Sequence, residues 1–384
     1  MPKTMPKTAK TAIVVGGGHG GLQAATMLSK KGIAVTVVSP LAYWDYSISS
    51  PRCVVEAEEA DVLQYTPPLD GICKHIKATF VQGKVTDVSD SFTGGAVTGV
   101  TLEGGAVLEA SVVVVAIGGS YTGGAIWKNR EHETTAEARA EGFKEMAAAI
   151  AAAENVVISG AGLVGVEVAG EIKTKFPSKC VTLVGKQSGT AKIIQKTTAA
   201  LEKLGVDLKE GRTVGEPADG VVNMKEGGAL KCDLLLPCAG FAFDASCLKA
   251  NFEGAITTRG QVVTEPSLLV QGSENVFALG DIVAIPEGKF GLASGATQCE
   301  AMARIVTANA LAVIAGKKGT KAFGWAAKAD SGPCLSTFGP ANGVGDIGMP
   351  GCLGGMEDAA ARKFKAKDFF MAKIGPPLGR GKTW

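Results

Sequence analysis

AIVVGGGHGGLQAATML, residues 12–28, decides the fold. Ala12 to Val15 is an apolar run of the length of a buried strand, and the chain then passes through Gly16 to Gly21 into an Ala- and Leu-rich helix ending near Lys31. A second strand, Ala34 to Val38, follows at once and closes a β-α-β unit. Glycine spacing alone carries little weight. With 52 glycines in 384 residues, about one G-x-G-x-x-G is expected by chance. Chance does not supply the setting, in which Gly16, Gly18 and Gly21 come straight after a strand and open a helix. The setting recurs: Val156 to Ser159 runs into Gly160, Gly162 and Gly165, a helix, and then the strand Val181 to Val184. In such a turn the first glycine bends the chain, the second lets backbone approach a pyrophosphate, and the third lets helix and strand pack closely. The helix amides then face the anion.

Two such units predict an α/β protein with two Rossmann-like dinucleotide-binding domains and a small C-terminal α+β region. Residues 11–125 and 241–320 are expected to form the first domain, 126–240 the second, and 321–384 the C-terminal region. Residues 78–115 hold short β-rich runs broken at Gly94-Gly95 and Gly104-Gly105, which read as a hairpin excursion ending in the strand Val112 to Ile117. That strand stops at Gly118-Gly119, which makes Gly118 a further candidate cofactor contact. Glu131 to Glu154 has helical composition, the helix of the second unit ends near Leu204, and Asp233 to Pro237 reads as a strand. Val276 to Leu279 is another, ending at Gly280-Asp281 before an Ala-rich helix from about Ala293. An aspartate there can accept from a ribityl hydroxyl while the helix N-terminus faces a flavin.

The acid that ordinarily takes a ribose hydroxyl at the end of the second strand is absent from both units, where Ser39 and Gly185 stand instead. Ser39 keeps a hydroxyl. Lys186 follows Gly185, and a cation near a 2′-phosphate makes NADPH tolerance a specific expectation. His19 lies within the first turn and reads as a loop side chain flanking phosphate. The three histidines are far apart, so no metal cluster is expected.

Composition narrows the class. Hydrophobic residues at 46% and charged residues at 20% fit a globular enzyme, and a net charge of +2 gives no reason to expect nucleic acid as a partner. Nine cysteines show no C-x-x-C or C-x4-C spacing, which argues against a metal knuckle or a local redox disulfide. The N-terminus lacks an export signal's apolar run and has Pro2 where a myristoylation glycine would stand. No apolar run is long enough to span a bilayer. The expected location is cytoplasmic or peripheral on an intracellular membrane, as a monomer or homodimer.

With these residues in place the chain resembles the two-dinucleotide-domain flavoproteins, the class of glutathione reductase and the type II NADH dehydrogenases. Within it the chain is most similar to the apoptosis-inducing-factor-like, or ferroptosis suppressor, NAD(P)H:ubiquinone oxidoreductases. The likeness spans residues 11 to 375 and is carried by VVGGGHGG at 14–21, SPRCVVE at 50–56, GAGLVGVEVAGEIKTKFPSKCVTLV at 160–184, VFALGDI at 276–282 and KAKDFF at 365–370. It implies FAD phosphate contacts at Gly16 to Gly20, flavin-nucleotide contacts at Arg52 and Val85, and Asp281 on the ribityl chain. It also implies Glu167 near the nicotinamide of NAD(P)H, and Lys365 beside the flavin as the catalytic candidate. Ser39 departs from the family's acid, and the missing glycine puts acyl anchoring in doubt.

The expected reaction passes hydride from NAD(P)H to the N5 of FAD, with the protein supplying position rather than acid–base chemistry. Disulfide reductases of this architecture carry a cysteine pair soon after the first helix, but residues 43–62 hold only Cys53. The electrons are therefore expected to leave the flavin directly for a quinone-like acceptor. A ferredoxin- or rubredoxin-type reductase and a slowly turning NAD(P)H-sensing flavoprotein remain as rivals. Residues 359–373 mix basic and aromatic side chains as an interfacial membrane helix does. The same composition suits a packed C-terminal helix, and the sequence admits both.

Overall fold

The computed structural model describes residues 10–58, 62–90, 98–291, 295–327, 334–346, 354–367, 369–370 and 378. Strand β1 (Thr11–Val15) leads through the first glycine turn into α1 (His19–Lys30) and returns as β2 (Ala34–Ser39). The short helices α2 (Ser50–Cys53) and α3 (Leu69–His75) precede β3 (Thr79–Gln82). Strands β4 (Val85–Ser89), β5 (Thr98–Leu102) and β6 (Val107–Ala110) form an antiparallel sheet, and β7 (Val112–Val115) follows.

The predicted excursion therefore begins later than the sequence suggested. β3 pairs in parallel with β2, Ser39 opposite Gln82, and forms the edge of the main sheet. Its mixed polarity is that of an edge strand covered on one side only. Gly94-Gly95 lie outside the described residues. Strand β7 is apolar and buried throughout, and β1 is so from Ala12 to Val15, as strands covered on both faces must be.

The chain then crosses by β8 (Ser120–Tyr121) and α4 (Ala136–Ala152), whose first turn is capped by the Thr135 hydroxyl accepting from the Ala138 amide at 3.2 Å. The second unit comprises β9 (Asn155–Ser159), α5 (Leu163–Lys175), β10 (Cys180–Gly185), α6 (Ala191–Leu204) and β11 (Asp207–Glu210). An antiparallel trio, β12 (Val214–Ala218), β13 (Val221–Met224) and β14 (Ala229–Lys231), leads to β15 (Leu234–Pro237). The chain returns through β16 (Phe241–Ala242), which pairs with β8, to β17 (Val276–Ala278) and the long helix α7 (Gly295–Ile314).

The two parallel sheets have the orders β17-β7-β1-β2-β3 and β11-β10-β9-β15. In each, the glycine turn leaves the strand beside which the order reverses: β1 next to β7, and β9 next to β15. That is the topological switch point where open α/β sheets bind ligands. One apolar core runs through both sheets.

The C-terminal segment forms the hairpin of β18 (Cys334–Thr337) and β19 (Gly343–Asp346), then α8 (Gly354–Ala360) and a π-helical stretch, Ala361–Ala366. Lys192 and Lys196 of α6 pair with Glu357 and Asp358 and fix this segment to the second unit. Ala361, Ala366 and Phe369 are buried, whereas Met356 and Phe364 are 57% and 49% exposed. Phe369 and Lys365 thus point inward, so the stretch 359–373 is not one interfacial face; Asp368 and residues 371–373 lie outside the described residues. No helix among the described residues is long and apolar enough to cross a membrane.

Candidate functional site

Each glycine of the first turn meets a separate demand. Gly16 has φ +112°, and a Cβ there would collide with the Ala116 carbonyl at the end of β7. Gly18, the N-cap of α1, has nothing within 4 Å of its would-be Cβ, so backbone borders open space. A side chain on Gly21 would strike the Gly16 carbonyl oxygen, which is the close packing of helix on strand. The second turn repeats this: Gly160 has φ +116° and would place a Cβ 2.7 Å from the Ala239 amide, Gly162 faces only the Ser188 hydroxyl at 3.6 Å, and Gly165 would strike the Gly160 carbonyl. An open second glycine between two filled ones is the cradle a dinucleotide pyrophosphate requires.

Around the first turn, buried donors lack partners. His19 is the first residue of α1 rather than a loop side chain, and neither ring nitrogen has a hydrogen-bond partner. Its nearest charge, Glu300 Oε1, is 3.6 Å from Nε2, beyond hydrogen-bond distance. The ring stacks on Trp44 with centroids 6.3 Å apart, and the Trp44 indole N–H is likewise buried and unpartnered. A buried donor left unmade costs about 1–3 kcal/mol, so these groups fit a polar ligand at the turn.

Asp281 follows Gly280 (φ +83°) at the end of β17, and its Oδ1 faces Gly295 at the start of α7. Its Oδ2 accepts from Lys128 Nζ at 3.2 Å, and that ammonium lies 4.6 Å from the Phe241 ring centroid and beside Gly118. Lys128 was not legible in the sequence, where it is one lysine in an irregular connection. Ser39 is buried at the end of β2, its hydroxyl accepting from the Leu41 amide at 3.2 Å, and Val85 is half-buried on β4.

Three further candidates meet where α2, α5 and the C-terminal segment join. Arg52 is buried, donates to Glu171 at 3.1 and 3.3 Å and to the Ala366 carbonyl at 2.6 Å, and stacks 4.4 Å over the Phe369 ring. Lys365 donates to Glu167 at 2.5 Å and to the Leu335 carbonyl at 2.7 Å. Burial pushes the Glu167 carboxyl above the ordinary glutamate range, with Lys365 acting against it, and does the same to Glu171 against Arg52. Sequence reasoning missed Glu171. The available signal was its place four residues after Glu167 in the otherwise apolar stretch Leu163 to Ile172, which puts both acids on one face.

Lys186 is exposed after Gly185 at the rim of the second turn. Beside it the carboxylate of Glu210 accepts from the Gln187 amide at 3.2 Å. All eight described cysteines are free, and burial pushes the Cys53, Cys73, Cys247 and Cys299 thiols up to about 12. No group of three potential metal ligands occurs among the described residues.

Paired switch-point cradles on two parallel sheets define a two-dinucleotide-domain flavoprotein oxidoreductase. Residues 10–299 match the family model of the pyridine nucleotide-disulphide oxidoreductases, and the chain belongs to that family. Its cofactors are FAD and NAD(P)H. Human ferroptosis suppressor protein 1 is 27% identical over 316 residues, covering 77% of this chain and 79% of its own. Apoptosis-inducing factor homolog B of Dictyostelium discoideum is 27% identical over 408 residues, covering 98% and 99%. Among solved structures, the sulfide:quinone oxidoreductase of Aquifex aeolicus superposes with a TM-score of 0.68 at 17% identity, covering 96% of this chain and 94% of that one.

Proposed function

We propose that the first glycine turn holds FAD, that the second holds NAD(P)H, and that electrons leave the flavin directly for a quinone-like acceptor. The observation that carries this reading is the state of the thiols: the described cysteines are unpaired, and those near the first unit are held protonated by burial. A relay through a disulfide needs a thiolate and a neighbouring sulfur; burial disfavours the thiolate at Cys53, and it is unpaired among the described residues. The Aquifex aeolicus protein that shares the fold is a sulfide:quinone oxidoreductase, which supports a quinone as acceptor.

Bound FAD supplies two-electron chemistry between a hydride donor and the acceptor. The residues of the chain place and enclose it. The Gly16 amide is spent on the Val38 carbonyl at 2.8 Å, so the amides of Gly17 to Gly21 at the α1 N-terminus would face the pyrophosphate, His19 and Trp44 would offer their unmade hydrogen bonds, and Asp281 would accept from the ribityl chain. Arg52 and Val85 flank the flavin nucleotide. Glu167 and Lys365 would stand at the nicotinamide side, and among the described residues Lys365 spends two of its three N–H donors, on Glu167 and Leu335, leaving one for a ligand. Met356 and Phe364, exposed beside Arg362, Lys363 and Lys367, offer an apolar and basic contact to an anionic membrane surface.

Anaerobic NADH reduction followed by mixing with menadione, a short-chain coenzyme Q analogue, ferricyanide or oxygen tests the acceptor. Both quinones should reoxidise the flavin faster than oxygen does. A reduced flavin that outlives every quinone would end this reading. For the membrane contact, Phe364→Glu should slow reduction of quinone embedded in anionic vesicles and leave soluble quinone untouched; equal rates in vesicles would remove that contact.

A further inference from the structure

In β-α-β dinucleotide folds the adenosine ribose is met by an acid at the end of the strand after the glycine helix. Here that position is Gly185, and the structure shows why no acid occupies it. Gly185 has φ +144°, and a Cβ there would stand 2.7 Å from the Ala161 amide, inside the glycine turn itself. The next strand takes over the position. β11 runs parallel to β10 with Glu210 directly opposite Gly185, so Glu210 ends its strand level with the missing acid.

Its carboxylate is held from one side. Oε1 accepts from the Gln187 amide at 3.2 Å, and Oε2 from the Gln187 side chain at 3.4 Å. Gln187 is itself fixed, accepting from Thr197 Oγ1 at 3.0 Å and donating to Thr198 Oγ1 at 2.8 Å. The other side of Glu210 is exposed, and it forms no ion pair among the described residues. Lys209, beside it on β11, pairs with Asp207 at 3.0 Å. Lys186 remains as an exposed cation on the same rim. Gly162 and Ser188 line the rim toward the helix N-terminus.

We infer that Glu210 is the residue that selects the coenzyme: its anchored carboxylate takes the adenosine 2′-hydroxyl and disfavours a 2′-phosphate. The inference rests on the reading that the second glycine turn takes NAD(P)H, and it reverses the NADPH tolerance that Lys186 suggested. Two carboxylate oxygens accept from a vicinal diol, whereas a 2′-phosphate sets like charges against each other.

Calorimetric titration of the intact flavoprotein with ADP-ribose and with 2′-phospho-ADP-ribose tests it without turnover. The unmodified protein should bind ADP-ribose tighter by about tenfold or more. Glu210→Gln should bring the two affinities within about threefold, and Glu210→Lys should invert the order. Gly162→Val, whose new Cβ meets only the Ser188 hydroxyl at 3.6 Å, an ordinary contact, keeps the fold and blocks the pyrophosphate, so it should weaken both probes together. Loss of both probes in Gly162→Val with an unchanged ratio in Glu210→Gln would overturn the role of Glu210 and keep the site. Undiminished binding of both probes in Gly162→Val would remove the site, and the inference with it.

Discussion

The two glycine turns are built to one plan and finished differently. α1 is packed along α7, the strand after it ends in buried Ser39, and the mouth of the turn is backed by His19 and Trp44 with their donors unmade. α5 opens beside exposed Ser188, Lys186 and Glu210. The first finish suits a group that stays; the second suits one that arrives and leaves. The same backbone cradle therefore becomes a grip or an exchange site according to what covers it, and the glycines do not encode the difference.

The largest expected effect comes from closing each cradle in turn. Gly18→Val should give protein that purifies without the visible flavin spectrum. Gly162→Val should stay yellow while its NADH-driven reduction slows by about a hundredfold, because the nicotinamide is displaced from its reactive position. If Gly162→Val also loses its flavin, the contrast between the turns fails.

The next effect sharpens the contrast at the seam between them. Glu167→Gln removes the counter-charge of the largely enclosed Lys365 ammonium, and should cost about 3–5 kcal/mol in chemical denaturation, with most of the loss recovered in Glu167→Gln/Lys365→Met. Because burial raises the Glu167 carboxyl, its ionised form is less favoured in the folded protein than in the unfolded one. Its contribution is therefore fully present below the ordinary glutamate pKa near 4.5 and declines as pH rises through the folded value. The denaturation midpoint of the double variant should fall less over that rise than the parent's. An equal fall would assign the pH dependence elsewhere.

The smallest effect concerns the thiols. Cys299, beside Gly20 and Gly280 in the gripping turn, is pushed up to about 12, so its alkylation by iodoacetamide should stay flat between pH 7 and pH 9. Free cysteine in solution, alkylated alongside, should react faster as pH rises. A Cys299 rate climbing in step with it would put a thiolate beside the first glycine turn and weaken the case for direct electron transfer.

Both cradles were legible because their strands are buried on two faces and read as unbroken apolar runs, each stopped by glycine. β3 was not, since TFVQ is an edge strand and its polarity resembles the antiparallel segments that follow. Arg52, Glu167 and Lys365 could be named singly, but their union at one seam depends on a chain return nearly 200 residues long, and no local pattern records it. Phe369 read as interfacial because composition cannot show which face of a helix another part of the chain will cover. Glu210 was hidden for a related reason. Its meaning comes from strand register, and the acid sits one strand away from where a motif would place it.

The order of the main sheet fixes a schedule for the growing chain. β7 ends at Val115, yet its neighbour β17 begins only at Val276, after the whole second unit has been made. The second sheet, contiguous from Asn155 to Pro237, can close on the ribosome while the first still lacks an edge. Asp281 and α7 emerge later still. With FAD in the first turn, as proposed, flavin loading would be a late event in biogenesis, and a chain stalled before Val276 would carry a finished second sheet beside a half-built first one.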